Sequence, residues 1–482
     1  IILLSLFIWW PTRNLPYFWE SSGFVINSAN DLFNNNFQPW IANHSNFAHP
    51  PFLMTLLAIA WKTFGHTPLT SHLVMWSFLP ILLYATYLIA RKMAIAFPVA
   101  PVLVVATLPY VLAEYYNIYI DLPTAALATA AISAAIYNRY LVMSLLLICA
   151  VLTKETALLI IPGLVLYFGL TTAIFTQLKS SKNYKLVIYI LLPVIAWIIY
   201  LTYHKLVTGW LLVEPGRQIR PFTPEIFRQS LVLIVRQIMF TQARGFLTWS
   251  AIGSLVILQF AKAKFPKYSN PIFLMSITIL LTSILFFSYI GEFALRYGII
   301  ASPFYVLSIF YIVSLIFKRF MPSWQTVSII VFSGIYIFIS YPTIHPKVQD
   351  LDQSFIYSPP DDLGIIDMIS IGQQAAFFLS QEYPSANIHG GFPENQQLTQ
   401  IYQGYVNVPL QFSECKLDDD FSNQTPEQLV YFHLYSPVQQ YCANSLLWHE
   451  HKLINKFVKN GKWVAIYQIG NKLSIPNEYI SL

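Results

Sequence analysis

Charged residues are scarce in this chain of 482 residues: they make up 10% of it, whereas a soluble protein carries about 25%. Hydrophobic residues make up 56%. Segments such as 73–90 (LVMWSFLPILLYATYLIA) and 186–203 are apolar on every face, and they are long enough to cross about 30 Å of hydrocarbon. This composition excludes a soluble globular protein and predicts a polytopic membrane protein built of α-helices.

The sequence also lacks several motifs that mark common enzyme classes. It has no Walker loop, no CxxC pair, no HExxH motif and no internal repeat. Cysteine is rare: Cys149 lies in an apolar segment, whereas Cys415 and Cys442 lie near the C-terminus and could form a disulfide in an oxidising compartment. No nucleic-acid partner is expected. Because the sequence has none of these motifs, any function must come from other residues.

Apolar segments of membrane length recur through the first two thirds of the chain. Eleven membrane helices are predicted, each boundary good to a few residues. They cover residues 1–10, 71–90, 94–112, 121–138, 140–153, 156–175, 186–203, 246–261, 271–290, 297–317 and 324–341. The chain opens on IILLSLFIWW without an initiator Met, so it is expected to begin inside its first helix, with no cleaved signal peptide.

A shorter apolar segment, 49–65, is interpreted as a re-entrant or interfacial helix that Pro50 and Pro51 start. If it spanned the membrane, every later helix would be inverted. The distribution of charge distinguishes the two topologies.

Basic and acidic residues fall in alternate sets of loops. One set holds eleven basic residues and no acidic one: Arg91, Lys92, Arg139, Lys179, Lys182, Lys185, Lys262, Lys264, Lys267, Lys318 and Arg319. The other set holds all eight acidic residues before residue 343: Glu20, Asp31, Glu114, Asp121, Glu155, Glu214, Glu225 and Glu292. By the positive-inside rule the first set is cytoplasmic. Every carboxylate of the membrane region is therefore predicted to face outward.

The composition changes near residue 343. Residues 343–482 carry fourteen acidic and seven basic residues. The segment 358–381 is predicted to form a helix capped by Asp361 or Asp362, and segments 427–436 and 462–470 are predicted to form strands. These features predict a membrane domain over 1–342, with outer loops 11–70 and 204–245, and a soluble extracytoplasmic α/β domain over 343–482.

The outward-facing charges cluster at helix ends, and ionisable residues near a bilayer usually serve function. A carboxylate there can act as general base on a hydroxyl or hold a divalent metal. Arg and Lys can bind a phosphate. The combination fits the head group of a lipid-phosphate substrate. The residues concerned are Glu20, Glu114, Asp121, Lys154, Glu155, Glu214, Arg217, Arg220, Glu292 and Arg296.

Several of these residues also have a simpler interpretation. Lys154 and Glu155 could form an interfacial anchor pair, and His49 could precede and cap the helix that Pro50 begins. Arg228, Arg236 and Arg244 are spaced eight apart, which predicts one face of an interfacial helix that contacts lipid head groups.

Five motifs occur in an order that resembles the GT-C superfamily of membrane glycosyltransferases, in the branch of protein O-mannosyltransferases and aminoarabinose–lipid A transferases. The motifs are an acidic residue after the first helix (Glu20), HPPF (49–52), YIDLPTAALATAAI (119–132), LTKETALLIIPGL (152–164) and LRYGIIASPFYVL (295–307). The resemblance covers residues 1 to about 317. No single motif is specific for this superfamily, but the five motifs in this order on one predicted face are fairly specific together.

The resemblance implies a hexosyl- or pentosyltransferase that uses a polyprenyl-phosphate-linked sugar and inverts the sugar carbon. The catalytic carboxylate falls on Glu20 and the second acidic position on Asp121. The positions that would bind the donor phosphate are Lys154, Arg217, Arg220 and Arg296. Those that would position the substrate or the loop are His49, Glu114, Glu155 and Glu292.

This chain has Glu20 where the family commonly has Asp. The two carboxyls have similar intrinsic basicity, so the substitution is chemically tolerable, although Glu reaches one methylene further.

Two other classes of function remain open: a transporter or flippase of a lipid-linked saccharide, and a non-catalytic assembly subunit. Transporters tend to place charges near the bilayer midplane in repeated halves, whereas here the charges lie at one face. Membrane lipids and a lipid, glycan or protein acceptor are expected partners. The sequence assigns no cofactor and leaves a divalent metal ion open. A plasma or inner membrane is expected.

Overall fold

The computed structural model describes residues 1–37, 49–172, 181–211, 222–261, 270–291, 294–344, 363–414, 429–433, 449–460 and 462–472. Five helices in these ranges are long and apolar enough to cross a membrane: Pro68–Lys92, Lys185–Thr208, Pro271–Ile290, Ser302–Phe320 and Pro322–Tyr341. Two bent pairs would raise the number to seven: Val99–Ala106 with Pro109–Asn117, and Pro224–Phe240 with Arg244–Phe260. The chain is an integral membrane protein.

The remaining apolar helices of the membrane region are shorter. They are Ile2–Thr12, Phe52–Phe64, Asp121–Ile136, Tyr140–Val151 and Glu155–Thr171. Each predicted segment contains helix, but eleven complete spans are not established, because by length and composition only five to seven qualify.

The segment 94–112, which is predicted as a membrane helix, forms a bent pair of helices. The backbone turns by 60° between Val99–Ala106 and Pro109–Asn117. Leu108 is extended, with ψ 123°, and Pro109 opens the second helix. A proline has no N–H to continue the preceding helix and disfavours helical geometry in the residue before it, so the break falls here.

The helix Phe52–Phe64 occupies the segment interpreted as re-entrant or interfacial. It has 13 residues, which gives about 20 Å at 1.5 Å per residue, too short to cross the hydrocarbon. Leu53, Leu57 and Trp61 are buried on one face, while Ile59 and Phe64 are exposed. The helix begins at Phe52, directly after Pro51.

The helix Asp121–Ile136 lies at the centre of the membrane region. It packs against Pro68–Lys92, Tyr140–Val151 and the 3-10 helix Leu295–Ile300, and it is buried around nearly its whole circumference. Its sequence, DLPTAALATAAISAAI, is rich in small residues, which let neighbouring backbones approach closely in a membrane. This central position fixes Asp121 at the first turn.

Arg228, Arg236 and Arg244 do not share one helix face, so that prediction is wrong. The chain bends by 89° between Pro224–Phe240 and Arg244–Phe260. Arg244 is only 1% exposed, and its Nε and Nη2 donate to the Gln237 carbonyl at 3.1 and 2.9 Å. Arg244 therefore holds the bend between two helices.

The C-terminal region contains a five-stranded sheet in the order β2-β1-β3-β5-β4. The strands are Ile388–Gly390 (β1), Phe412–Glu414 (β2), Leu429–His433 (β3), His449–Lys459 (β4) and Lys462–Lys472 (β5). β1 is parallel to β2 and β3, and β5 is antiparallel to β3 and β4. β3 lies within the predicted strand segment 427–436, and β5 covers the predicted segment 462–470 and extends two residues beyond it.

The helix Gly364–Glu382 packs on β4 and β5, where the sequence predicts a helix. Ile365, Ile369 and Leu379 of this helix form a core with Ile388 and Ile466 of the sheet. The proposed caps Asp361 and Asp362, and the proposed disulfide between Cys415 and Cys442, lie outside the described residues.

Candidate active site

Glu20 lies in a tightly folded segment between the first helix and Asn27–Asn34. A π-helix, Ser21–Ile26, follows it directly, and π-helical turns occur often at functional sites. Trp19 has a left-handed backbone with φ 55°, which is unusual for a bulky residue. The Ser21 hydroxyl holds this geometry: it accepts from the Phe18 N–H at 3.0 Å and donates to the Phe18 carbonyl at 2.7 Å.

Asp121 and Lys154 approach each other from two helix ends. Asp121 begins the central helix, three residues after Ile118, whose backbone is left-handed with φ 52°. Lys154 follows the helix Tyr140–Val151 in an extended conformation. The Lys154 Nζ donates to Asp121 Oδ1 at 2.6 Å, and both side chains are about 5% exposed. This is a buried ion pair.

Arg296 reaches Glu20 from the 3-10 helix Leu295–Ile300. Its Nη2 donates to Glu20 Oε1 at 2.5 Å, with the Arg296 side chain 4% exposed and that of Glu20 46% exposed. A carboxylate that is anchored yet half-exposed can still meet a substrate from outside.

Tyr297 connects the two ion pairs. The Lys154 Nζ lies 4.3 Å from the centre of its ring, and the Arg296 Cζ lies 5.2 Å from it. Arg296 also lies 5.3 Å from the ring centre of Tyr119. Cations at these distances from an aromatic face are stabilised by the ring quadrupole, so the tyrosines hold both cations beside one space.

That space is a cavity of about 160 Å³. Its lining residues are Glu20, Phe24, Val25, His49, Tyr119, Ile120, Asp121, Lys154 and Tyr297. Four of the residues singled out in the sequence therefore line it, and a fifth, Arg296, contacts one of these four, Glu20. The structure brings together residues that lie 276 positions apart in the chain.

His49 and Glu155 form a third pair beside the cavity. His49 Nδ1 lies 2.9 Å from Glu155 Oε2, and each side chain is 26% exposed. Burial acts to raise the pKa of the Glu155 carboxyl, but His49 and then Lys154 outweigh burial and lower the pKa to about 2. His49 thus has a partner beyond the start of its helix.

Other predicted site residues are placed differently. Glu114 is buried but does not line the cavity. Arg217, Arg220 and Glu292 lie outside the described residues. Within the described ranges, no three side chains among His, Cys, Asp and Glu converge as a metal site would require.

Sequence reasoning missed Tyr119, Tyr297 and Phe24. The first two were signalled by their positions, because Tyr119 is two residues before Asp121 and Tyr297 directly follows Arg296. Phe24 gave no such signal, since it reaches the cavity only through the π-helical turn.

The ion pairs set the electrostatics of the cavity. Glu20 pairs with Arg296, and Asp121 pairs with Lys154. Both cations that contact the carboxylates of the cavity are thus already paired. In a low-dielectric site each such interaction is stronger than in water.

No protein-family model matches the sequence, and no curated protein matches it significantly. Solved structures do. ArnT from Cupriavidus metallidurans bound to undecaprenyl phosphate superposes with a TM-score of 0.55 at 13% identity, over 97% of each chain. The apo state of the same protein gives 0.54 at 14% identity, over 97% of this chain and 96% of that one. At such identity the likeness establishes the fold: the chain has the GT-C fold that the order of its motifs indicates.

Proposed function

We propose that this protein is an inverting membrane glycosyltransferase that moves a sugar from a polyprenyl-phosphate donor to an acceptor hydroxyl. The observation that carries the proposal is the pair of carboxylate–cation contacts around one cavity in a chain with the GT-C fold. That a similarly folded protein, ArnT, binds undecaprenyl phosphate supports a polyprenyl phosphate as the lipid.

In the proposed reaction Glu20 is the general base. Its carboxylate accepts the proton of the acceptor hydroxyl, and the oxygen attacks the anomeric carbon of the donor sugar. The bond from that carbon to the phosphate oxygen breaks, and the lipid phosphate leaves with the electron pair. Attack opposite to the leaving group inverts the sugar carbon.

Arg296 and Lys154 are proposed to stabilise the charge that grows on the leaving phosphate. Cations that meet this charge more strongly in the transition state than in the ground state accelerate the reaction. Because both are paired with carboxylates, Arg217 and Arg220 are proposed to supply further positive charge to the donor phosphate.

Asp121 is proposed to hold Lys154 beside Tyr297 and to serve as the second catalytic carboxylate. His49 and Glu155 are proposed to position the loop and the substrate, and Glu114 and Glu292 are proposed to do so from the surrounding helix ends. The proposed location of the cavity is the extracytoplasmic face of a plasma or inner membrane, because every acidic residue of the membrane region falls in the loops opposite the basic ones.

The test is sugar transfer in membranes from labelled polyprenyl-phosphate sugars, comparing wild type with Glu20→Gln at matched expression. We expect a loss of several orders of magnitude with donor binding retained. Glu382→Gln is the matched control, because Glu382 is an exposed carboxylate that does not line the cavity, and it should leave transfer unchanged.

The other outcomes would reassign the function. Transfer that survives Glu20→Gln would move the role of the base to Asp121 or Glu114. No transfer with any donor, but movement of the lipid across the bilayer, would indicate a flippase. Neither activity would indicate a non-catalytic assembly subunit.

A further inference from the structure

The segment that carries Glu20 has two sides. On one side, Glu20, Phe24 and Val25 line the cavity. On the other side, this segment touches residues that follow strand β1 in the C-terminal region, about 370 positions later in the chain. Phe18 even belongs to the core of that region, where it is 2% exposed.

Phe392 packs against this segment. Its ring centre lies 5.4 Å from that of Trp19, edge to face. A Cβ on Gly23 would lie only 2.4 Å from the Phe392 Cε2, so no larger residue fits there without movement of the ring. Phe392 therefore presses on the residue before Glu20 and on the first turn after it.

Gln396 anchors the same turn by a hydrogen bond. The Ser22 hydroxyl donates to Gln396 Oε1 at 3.0 Å. Phe392 lies just before the short helix Glu394–Thr399, and Gln396 lies four residues later, in the first turn of that helix.

Further contacts bracket the turn on both sides. The Tyr17 N–H donates to the Gln403 carbonyl at 3.2 Å, and the Tyr402 hydroxyl donates to Asn27 Oδ1 at 3.2 Å. Residues 17 to 27 are thus held at their beginning, middle and end by residues 392–403.

Residues 392–403 follow strand β1, and this position fits a functional role. β1 lies between two parallel neighbours, β2 and β3. From β1 the chain goes to β2 on one side of β1 and then crosses to β3 on the other side. The carboxyl end of a strand where connections diverge in this way is where α/β sheets place their functional loops. Here that end faces the Glu20 turn.

We propose that Phe392 and Gln396 are positioning residues for the transfer reaction: they hold the Ser21–Ile26 turn so that Glu20 meets Arg296 and the cavity. This inference rests on the proposed function. A left-handed bulky residue and a π-helical turn persist only where their surroundings hold them. A displacement of about 1 Å at a reacting group can lower the rate by about 10²-fold.

The first experiment compares Phe392→Ala, Phe392→Leu and Gln396→Ala with wild type in the full-length protein. We expect Phe392→Ala to lower kcat by about 10- to 100-fold with KM for the donor changed less than threefold. Phe392→Leu, which restores part of the bulk, should recover much of the loss. Phe377→Ala, at an exposed phenylalanine of the same region (66% exposed), is the matched control.

The second experiment uses the clash at Gly23. Gly23→Ala should lower kcat because its methyl group meets the Phe392 ring. Phe392→Ala in the same chain should relieve that clash, so the double variant should be more active than the product of the two single losses predicts. Losses that simply multiply would overturn the proposal.

Hydrogen exchange of residues 17–27 separates this inference from the proposed function. We expect Phe392→Ala, but not Phe377→Ala, to accelerate exchange there. Faster exchange with unchanged kcat would show that the contact does not position the base, and unchanged exchange would show that it does not hold the turn. If wild type transfers no sugar from any donor, the proposed function fails, and positioning of a base fails with it whatever the exchange shows.

Discussion

Asp121 and Lys154 form the more enclosed of the two ion pairs around the cavity. Their side chains are 6% and 5% exposed, whereas the Glu20 side chain is 46% exposed. An enclosed pair loses stability when one partner is removed, because the other charge stays buried without compensation. The two carboxylates should therefore differ in what their loss does to the fold.

We predict that Asp121→Asn lowers the free energy of unfolding by about 3–5 kcal/mol, while Glu20→Gln changes it little. The reason is that Lys154 is a buried cation whose charge loses its compensation, whereas Arg296 loses a carboxylate that is already half-exposed. Thermal unfolding of the purified variants, followed by tryptophan fluorescence, measures this.

The double variant Asp121→Asn/Lys154→Met removes both charges and serves as the control. It should regain most of the stability, since a buried pair can be replaced by apolar groups of similar size, yet it should not regain transfer. Equal destabilisation by Asp121→Asn and Glu20→Gln would contradict the difference in burial.

At the scale of the elements, helix ends carry the site, and this much follows from the sequence. Charges placed at predicted helix ends on one face identified Glu20, Asp121, Lys154 and Arg296, and the HPPF motif identified His49. The structure places all five in or beside one cavity. The hydropathy of the sequence also located the helices, because the thickness of the hydrocarbon core sets the length of an apolar segment that crosses it.

Bends and turns did not follow from hydropathy. The break at Pro109 and the bend before Arg244 leave the apolar character of the chain unchanged, so a hydropathy profile passes over them. The π-helical turn after Glu20 depends on contacts with residues far along the chain, and no local periodicity reports these contacts.

The pairing of His49 with Glu155 ties the helix Phe52–Phe64 to the start of Glu155–Thr171, and it predicts a pH dependence. The pKa of Glu155 is lowered from 4.5 to about 2, so the folded state binds this proton less well than the unfolded state does. The resulting stability is fully present above pH 4.5 and is lost as the pH falls toward 2.

Melting temperature measured between pH 2 and pH 6 tests this. Wild type should lose stability through that window more steeply than Glu155→Gln, which has no carboxyl to titrate. Parallel curves for the two proteins would show that the pair does not stabilise the fold.

At the scale of the whole molecule, His66 contributes to the contact between the membrane and C-terminal regions. Its ring stacks on that of Tyr402 at 4.7 Å and lies 4.0 Å from that of Trp61 and 5.0 Å from that of Phe33. Burial lowers the pKa of His66 from 6.5 to about 4, because a buried ring loses the hydration that stabilises its charged form. Nearby charges are Lys62, over the Phe33 ring, and Asp31, near Tyr402.

We predict that this contact weakens as the pH falls from 6.5 to 4, because a separated His66 binds a proton that the packed ring excludes. Limited proteolysis of the C-terminal region across this range measures the effect. His66→Phe keeps an aromatic ring without a titrating group, so it should remove the dependence. An identical dependence in His66→Phe would place its origin elsewhere.

The contact of residues 392–403 with the Glu20 turn joins segments that are synthesised at different times. Residues 17–27 leave the ribosome early, whereas their supports follow about 370 positions later, which at 5–20 residues per second is roughly 20–70 s. During that interval the Glu20 turn of the nascent chain lacks its contacts with residues 392–403. We therefore predict that a newly made chain, acting by the proposed function, transfers no sugar until residues 392–403 have been synthesised and have packed against the Glu20 turn.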